Sequence, residues 1–117
     1  MNKTVIVTGA AKGIGRAIAK DFAYAGYNVC INYNTSEDAA KELCETLAKD
    51  GCSVIIYKAD VTDRKQVDKM VDYVIGTFGK VDVLVNNAGI SEYKLFIDIE
   101  QEEIQRMLNV NILGVFN

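Results

Sequence analysis

Residues 5–15 read VIVTGAAKGIG, and this stretch decides the fold expected of the chain. The apolar run 5–7 is typical of a buried strand, and a helical spacing of apolar residues begins near Gly13. Between them, the glycine turn (residues 8–15) carries Gly9, Gly13 and Gly15 in the spacing G-x-x-x-G-x-G. A strand that enters a helix through glycines lets phosphate oxygens approach the backbone and the positive end of the helix dipole. The stretch therefore predicts a pyrophosphate-binding turn; alternatively, the glycines only permit close packing of the strand on the helix.

The composition narrows the classes of protein to consider. The chain has 117 residues, 50% of them hydrophobic, which predicts one packed domain without disorder. The net charge of −3 offers no basic surface for nucleic acid, and no apolar run is long enough to span a membrane. The first residues carry no secretory signal, so a soluble, cytoplasmic protein is expected.

The residues of metal and nucleophilic catalysis are scarce in this chain. It contains no histidine, and its three cysteines lack metal-ligand spacing. Zinc chemistry and Ser/His/Asp catalysis are therefore poor explanations of its function, and no metal site is expected. Cys30 lies in a strand pattern and Cys44 on the apolar side of a helical pattern, so these thiols are expected to act as small hydrophobic groups.

Strand and helix patterns alternate along the chain. Four β-α units in succession predict an α/β fold, a Rossmann-like doubly wound parallel sheet with strand order 3-2-1-4, truncated after the fourth helix. Residues 1–117 would form a single partial dinucleotide-binding domain. The expected strands are 4–8, 28–33, 53–58 and 83–85, and the expected helices are 13–26, 36–51, 62–79 and a stretch from Asp98 through Asn111. Ser36 and Thr62 are the expected N-caps of the second and third helices.

Residues that follow the second strand predict the type of cofactor, because ligands of such sheets bind beyond the carboxyl ends of the strands. An acidic residue there bonds the ribose hydroxyls of NAD and repels a 2′-phosphate. Here positions 32–36 read Asn-Tyr-Asn-Thr-Ser, of which Tyr33, Asn34 and Thr35 are the expected cofactor contacts, and no carboxylate occurs before Glu37. Lys12 in the glycine turn is placed to reach a 2′-phosphate with its ammonium. Both features favour NADP(H) over NAD(H); the alternative for Lys12 is a solvated surface lysine.

Two further segments end at the same edge of the predicted sheet. Asp60 and Val61 follow the third strand, where Asp60 is expected to accept a hydrogen bond from an adenine amino group while Val61 packs beside the ring. The alternative role of Asp60 is to cap the next helix. The fourth strand leads into Asn86-Asn87-Ala88-Gly89, whose amides can tie neighbouring loops together and whose small residues let a cofactor pass close by.

The order and separation of these motifs resemble the short-chain dehydrogenase/reductase family. The resemblance is carried by residues 8–15, 60–61, 86–89 and 109–111, and it runs the length of the chain. Within the family, Lys12 and residues 110–117 most resemble the bacterial 3-oxoacyl-acyl-carrier-protein reductases. The resemblance implies hydride transfer between NADP(H) and a carbonyl or alcohol, with a 3-oxoacyl thioester as the expected substrate class.

The resemblance also implies roles for particular residues. Ile14 would contact the cofactor together with the three glycines of the turn, and Asn111 would be the asparagine of the family's active-site tetrad. The residues expected to line the cofactor after the fourth strand are Asn87, Ala88, Gly89 and Ile90. The remaining tetrad members, a serine and a Tyr-x-x-x-Lys pair, lie after the tetrad asparagine in this family.

None of the six tyrosines in this sequence has a lysine four residues later. The resemblance therefore covers roughly the first half of a family member, and the chain alone is expected to be inactive. Loss of the later strands predicts an exposed edge on strand four, and a homo-oligomer formed through that edge or through the fourth helix. The alternatives are a non-catalytic nucleotide-binding or self-association module, and a chain whose active site is completed by a partner that supplies the missing residues.

Overall fold

The computed structural model describes residues 2–87 and, for the backbone alone, residues 111–114. Its elements are, in chain order, β1 (Thr4–Val7), α1 (Gly13–Tyr24), β2 (Asn28–Tyr33), α2 (Glu37–Lys49), β3 (Val54–Lys58), α3 (Arg64–Phe78), β4 (Val83–Asn86) and β5 (Asn111–Gly114). As far as β4, the predicted bounds agree with these to within about two residues, the usual uncertainty of element ends. Within the described ranges, no helix is both long and apolar enough to cross a bilayer.

The strands form one parallel sheet with the order β3-β2-β1-β4-β5. The predicted order 3-2-1-4 is thereby confirmed. β1 lies inside the sheet, and its last residue, Val7, is opposite Ile31 of β2 and Val85 of β4. The glycine turn therefore leaves the sheet between the residues that follow β2 and those that follow β4.

The prediction was wrong at the far side of the sheet. Asn111, expected in a helix, is the first residue of β5 and lies opposite Val83 of β4. Residues 111–114 form a short, largely apolar run, and periodicity does not separate helix from strand in such runs. Because β5 pairs with β4, the edge that was expected to be exposed is occupied. Residues 98–110 of the predicted fourth helix lie outside the described residues.

Two apolar clusters pack on opposite faces of the sheet. Val5 and Val7 of β1 belong to the cluster with α1 and α2, whereas Ile6 belongs to the cluster with α3. Strands covered on both faces are largely apolar, which is why β1 and β4 contain the continuous hydrophobic runs 5–7 and 83–85. Cys30 is buried in the second cluster, as predicted, and burial raises the pKa of its thiol. Cys44 is only partly buried and packs against the first cluster.

The helix ends lie where the sequence predicts them, except that the N-cap of α3 is a different residue from the expected one. Gly26 follows α1 with a φ of 95°, a conformation that glycine adopts without strain. Ser36 is the N-cap of α2 as predicted, although its hydroxyl makes no capping hydrogen bond. The N-cap of α3 is Asp63 rather than Thr62, and its carboxylate accepts from the backbone N–H groups of Lys65 and Gln66. A carboxylate at this position also interacts favourably with the helix dipole.

Candidate functional site

The glycine turn needs its first two glycines for their backbone conformation. Gly9 and Gly13 both have a φ of 59°, in the left-handed region that a residue with a Cβ enters only with strain. Lys12, the N-cap of α1, has extended backbone and uses no side-chain bond to cap the helix. Since α1 begins at Gly13, the N–H groups of its first turn face the space in front of the helix. Such a helix start is a suitable place for a phosphate.

The third glycine of the turn is required by close packing. A Cβ on Gly15 would clash with the carbonyl oxygen of Gly9 and would lie 2.5 Å from Nδ2 of Asn87. The backbone of α1 thus approaches the turn, and the residue after β4, as closely as a glycine permits. Gly15 therefore serves close packing of α1 against the turn, which was the alternative interpretation of the glycines. This packing is compatible with a helix start whose N–H groups are free to bind a phosphate.

Asn32, a polar residue inside β2, holds the turn from one side. Its side chain is buried, with 2% of its surface exposed. Its Oδ1 accepts from the Gly9 N–H at 3.3 Å, and its backbone oxygen accepts from the Ala10 N–H at 2.9 Å. Its Nδ2 donates to the carbonyl oxygens of Tyr57 at 3.4 Å and Ala59 at 3.1 Å, at the end of β3. Asn32 therefore joins the turn, β2 and β3 through one buried amide.

Sequence reasoning did not identify Asn32 as a site residue. The signal was present, because an asparagine flanked by apolar strand residues must find hydrogen-bond partners when it is buried. Nothing in the local sequence showed that these partners would be the glycine turn and β3.

Asn87 holds the turn from the other side. Its backbone N–H donates to Oγ1 of the buried Thr8 at 2.9 Å, and its Nδ2 donates to the carbonyl oxygen of Gly9 at 3.2 Å. Thr8 in turn donates to the carbonyl oxygen of Val85 at 3.3 Å. The sequence-based expectation that the amides after β4 tie loops together describes this contact. The other predicted lining residues of this segment, Ala88, Gly89 and Ile90, lie outside the described residues.

A cleft of about 200 Å³ separates the glycine turn from the residues that follow β2; we call it the β1–β2 cleft. Its lining contains four of the predicted cofactor-binding residues besides Gly9, and it consists of Gly9, Ala11, Lys12, Tyr33, Asn34, Thr35 and Ser36. Lys12 is exposed, so its ammonium is available to a ligand in the cleft. Ile14 beside it is 61% exposed, which is unusual for an isoleucine and leaves an apolar surface at the start of α1.

The first carboxylate after β2 belongs to Glu37, which does not line the β1–β2 cleft. It forms an ion pair of 2.9 Å with Lys41, one turn further along α2. The hydrogen bond from Lys41 and its charge lower the pKa of Glu37, so this carboxylate is ionised and paired near neutral pH. The lining of the cleft therefore carries one cationic side chain, that of Lys12, and no carboxylate.

Asp60 lies at the same edge of the sheet, at the end of β3, but outside the lining of the cleft. Its Oδ1 accepts from the Thr62 hydroxyl at 2.6 Å and from the Thr62 N–H at 2.9 Å. These two hydrogen bonds, the hydroxyl first, lower the pKa of Asp60. Asp60 thus shapes the loop before α3, while Asp63 caps the helix. Val61 is buried, with 5% of its surface exposed, in the cluster on the α3 face.

Asn111 is the one predicted catalytic residue, and the structure does not bring it to the turn. It pairs with Val83, at the amino end of β4, whereas the glycine turn meets the carboxyl end. Its catalytic role stays a prediction. Among the described residues, no group of three or more histidine, cysteine, aspartate or glutamate side chains is arranged to hold a metal ion.

Comparison with known proteins identifies the family. The family model for short chain dehydrogenases matches residues 3–117. The chain belongs to the short chain dehydrogenase family. The glycine turn, the amide after β4 and the parallel sheet are thus features of a short chain dehydrogenase, as the sequence resemblance implied.

Its relatives among curated short chain dehydrogenases include two staphylococcal enzymes named 3-oxoacyl-acyl-carrier-protein reductase FabG. The chain is 42% identical to the Staphylococcus epidermidis protein and 40% identical to that of Staphylococcus aureus strain Mu50, over all 117 of its residues. These matches cover 100% of this chain and 48% of each relative. The chain therefore spans about half the length of the curated relatives it matches.

Solved structures of short chain dehydrogenases share the fold. One is a short chain dehydrogenase from Burkholderia cenocepacia J2315 in complex with NADP, at 42% identity and a TM-score of 0.71, covering 75% of this chain and 36% of that one. Another is a dehydrogenase/reductase from Sinorhizobium meliloti 1021, at 33% identity and a TM-score of 0.72, covering 75% of this chain and 35% of that one.

Proposed function

We propose that this chain is the NADP(H)-binding part of a short chain reductase that converts a carbonyl, in the form of a 3-oxoacyl thioester, into an alcohol. The observation that carries this proposal is the β1–β2 cleft, which Lys12, Asn34 and Thr35 line together and whose lining contains no carboxylate. The NADP complex of the Burkholderia relative supports the cofactor, and the name of the staphylococcal relatives supports the substrate class. The expected location of such a reductase is the cytoplasm.

The described residues fit a phosphorylated dinucleotide. The chain turns into α1 at Gly13 with a φ of 59°, and the first N–H groups of the helix, which have no partner within it, are available to a pyrophosphate. Lys12 would neutralise a 2′-phosphate, while Asn34 and Thr35 would donate hydrogen bonds to it. When bound, the cofactor supplies the hydride for carbonyl reduction. The chain's own contribution in this proposal is to bind and orient that cofactor.

A role for Asp60 and Val61 beside the adenine remains part of the proposal. Asn32 supports it, because the amide that holds Gly9 also holds the carbonyl of Ala59, the residue before Asp60. In this proposal, that buried side chain sets the distance between the glycine turn and the residues beside the adenine. Ala88, Gly89 and Ile90 are proposed to line the cofactor on the β4 side.

The cofactor preference is tested by calorimetric titration of the chain with NADPH and NADH. We expect tighter binding of NADPH, and we expect Lys12→Met to reduce that preference by about tenfold, the typical effect of one hydrogen bond to a charged group. Lys20→Met is the matched control, since Lys20 is an exposed lysine further along the same helix. Equal or tighter binding of NADH by the unaltered chain would contradict the proposal.

We also propose that the 117-residue chain does not catalyse the reaction alone, because none of its tyrosines has the lysine four positions later that the family mechanism uses. The test is oxidation of NADPH by the purified chain in the presence of acetoacetyl-coenzyme A. No turnover above the rate without thioester is expected. Measurable thioester-dependent turnover would show that these residues already contain a complete active site.

We propose, second, that the chain associates with copies of itself, which is the role it would have if it were a non-catalytic module. The edge strands of the described sheet are β3 and β5, and unpaired strand edges favour association between copies. We expect a homodimer in sedimentation velocity experiments at micromolar concentration. A single monomeric species across the concentration range would contradict it.

A further inference from the structure

Arg16, in the first turn of α1, joins one wall of the β1–β2 cleft to the first turn of α2, the helix that follows the other wall. Its Nη1 donates to the carbonyl oxygen of Ala11 at 3.3 Å and to that of Ala39 at 3.3 Å. Ala11 is on the wall formed by the glycine turn. Ala39 is in the first turn of α2, whose N-cap, Ser36, is on the opposite wall. One nitrogen atom therefore ties together two segments that are more than twenty residues apart in sequence.

A second contact orients the guanidinium. Its Nη2 donates to Oε1 of Glu42 at 3.2 Å; the Arg16 side chain is 28% exposed and the Glu42 side chain 73%. An ion pair with so exposed a partner contributes little to stability. With Nη2 directed at Glu42, Nη1 donates to both carbonyls. A guanidinium presents its N–H donors in a rigid fork, which the ammonium of a lysine does not reproduce.

Arg16 also controls the peptide that leads into Lys12. The Ala11 carbonyl that it holds belongs to the peptide group between Ala11 and Lys12, and the Arg16 N–H donates to the Lys12 carbonyl at 3.3 Å. Both bonds restrict the direction in which the lysine side chain leaves the turn. The bond to Ala39 restricts the position of the α2 start relative to that direction.

We propose that Arg16 is a positioning residue for cofactor selectivity: it fixes the width of the β1–β2 cleft, so that Lys12 and the polar groups after β2 meet on one 2′-phosphate. This inference rests on the proposed NADP(H) preference, and it names the residue that lets both walls of the cleft contact the 2′-phosphate. Without the bridge, Asn32 still joins the turn to β2, but the peptide before Lys12 and the first turn of α2 lose the group that both of them bond, and a ligand that needs both walls loses affinity. A ligand without the 2′-phosphate does not depend on the width of the cleft in this way.

The test compares adenosine 2′,5′-bisphosphate with 5′-AMP, two nucleotides that differ in the 2′-phosphate. Dissociation constants are measured by calorimetry for the 117-residue chain and for Arg16→Lys, Arg16→Met and the control Lys20→Met. We expect both Arg16 variants to weaken bisphosphate binding about fivefold and 5′-AMP binding less than about twofold. Lys20→Met removes the same charge one helical turn further on and is expected to change neither value by more than about twofold.

Each other outcome overturns the inference. Equal weakening of both nucleotides in the Arg16 variants would show a purely structural role. Full bisphosphate affinity in Arg16→Lys would show that the fork is not needed, and an equal effect of Lys20→Met would show that charge alone acts. If the unaltered chain prefers the bisphosphate and the variants keep that preference, the Arg16 inference fails while the proposed function stands. If the unaltered chain binds both equally, the NADP(H) preference fails and this inference with it.

Circular dichroism checks that each variant is folded. Arg16→Lys keeps the charge and most of the apolar stem, so it remains informative if Arg16→Met does not fold.

Discussion

The close approach at Gly15 makes the most direct prediction about this chain. Gly15 lies inside α1, where alanine is normally more favourable than glycine by about 1 kcal/mol. In this structure, however, an added Cβ would clash with the Gly9 carbonyl oxygen and would lie 2.5 Å from Nδ2 of Asn87 and 3.1 Å from Cα of Ala10. For Gly15→Ala to fold, either α1 must move away from the turn or Asn87 must release Gly9.

The magnitude follows from these alternatives. Overpacking of this kind costs about 1–3 kcal/mol, and loss of the hydrogen bond between Asn87 and Gly9 costs about 1 kcal/mol more. The better helix propensity of alanine offsets up to about 1 kcal/mol of this. We therefore expect Gly15→Ala to lower the free energy of unfolding by about 2 kcal/mol, which for a domain of this size lowers the Tm by about 10 °C.

The assay is thermal unfolding followed by circular dichroism, with Gly76→Ala as the matched control. Gly76 also lies within a helix, α3, but nothing lies within 4 Å of a Cβ added there. Gly76→Ala is expected to raise the Tm by a few degrees, because only helix propensity changes (about 0.5–1 kcal/mol). An equal rise in Tm for Gly15→Ala would refute the close approach of α1 to the turn. Gly15→Ala should also weaken NADPH binding, while Gly76→Ala should not.

Three further predictions concern the rest of the described chain. Asn32→Asp replaces the amide nitrogen with an oxygen that faces the two carbonyls at the end of β3. Chemical denaturation at neutral pH should therefore show a free energy of unfolding lower by about 2–3 kcal/mol. Unchanged stability would mean that this amide is not buried as described. Asp63→Ala should lower the Tm by a few degrees through loss of the α3 cap. Hydrogen bonds lower the pKa of Asp63 in the folded state, so the stabilisation by this cap is present above the unfolded pKa of the carboxyl and is lost as the pH falls through the lower folded pKa. The difference in Tm between the unaltered chain and Asp63→Ala should therefore shrink in acid. A difference that stays constant with pH would argue against the cap. Cys30 is buried and its thiol pKa is raised, so mass spectrometry after iodoacetamide treatment of the folded chain should find Cys44 and Cys52 alkylated well before Cys30, and early modification of Cys30 would contradict its burial.

Local patterns were sufficient for most of the fold. The apolar run before Gly9, the helical spacing after it and the glycine near residue 26 are short-range signals, and they gave the bounds of β1 and α1. The alternation of such units gave the parallel sheet and its order, because right-handed crossovers restrict the topologies available. Residues 111–114 were assigned to a helix in error. A run of four residues is too short to show a helical or a strand period, so the local pattern could not separate the two.

The candidate site was less predictable, because its contacts are not local. Lys12 and Asn34 could be placed at one edge of the sheet, since topology alone brings their segments together. The Arg16 bridge to Ala39 could not be predicted, as it depends on the distance between two helices. The same holds for Asn32, whose partners are 23 and 27 residues away in sequence. In the sequence, both residues read as ordinary members of a helix and a strand.

The hydrogen bonds of Gly9 show that the three glycines of the turn have different roles. Its N–H is donated to Asn32 from β2, and its carbonyl oxygen accepts from Asn87 after β4, so side-chain amides from the two flanking segments occupy both polar groups of this residue. A phosphate that entered the turn would therefore find the Gly9 N–H already engaged. The donors available to it are the N–H groups of Gly13, Ile14 and Gly15 at the start of α1, which have no carbonyl one turn earlier in the helix to bond. Gly9 thus holds the turn between its two flanking segments, Gly15 lets α1 pack closely against Gly9, and the first turn of α1 is where we propose that an anion binds.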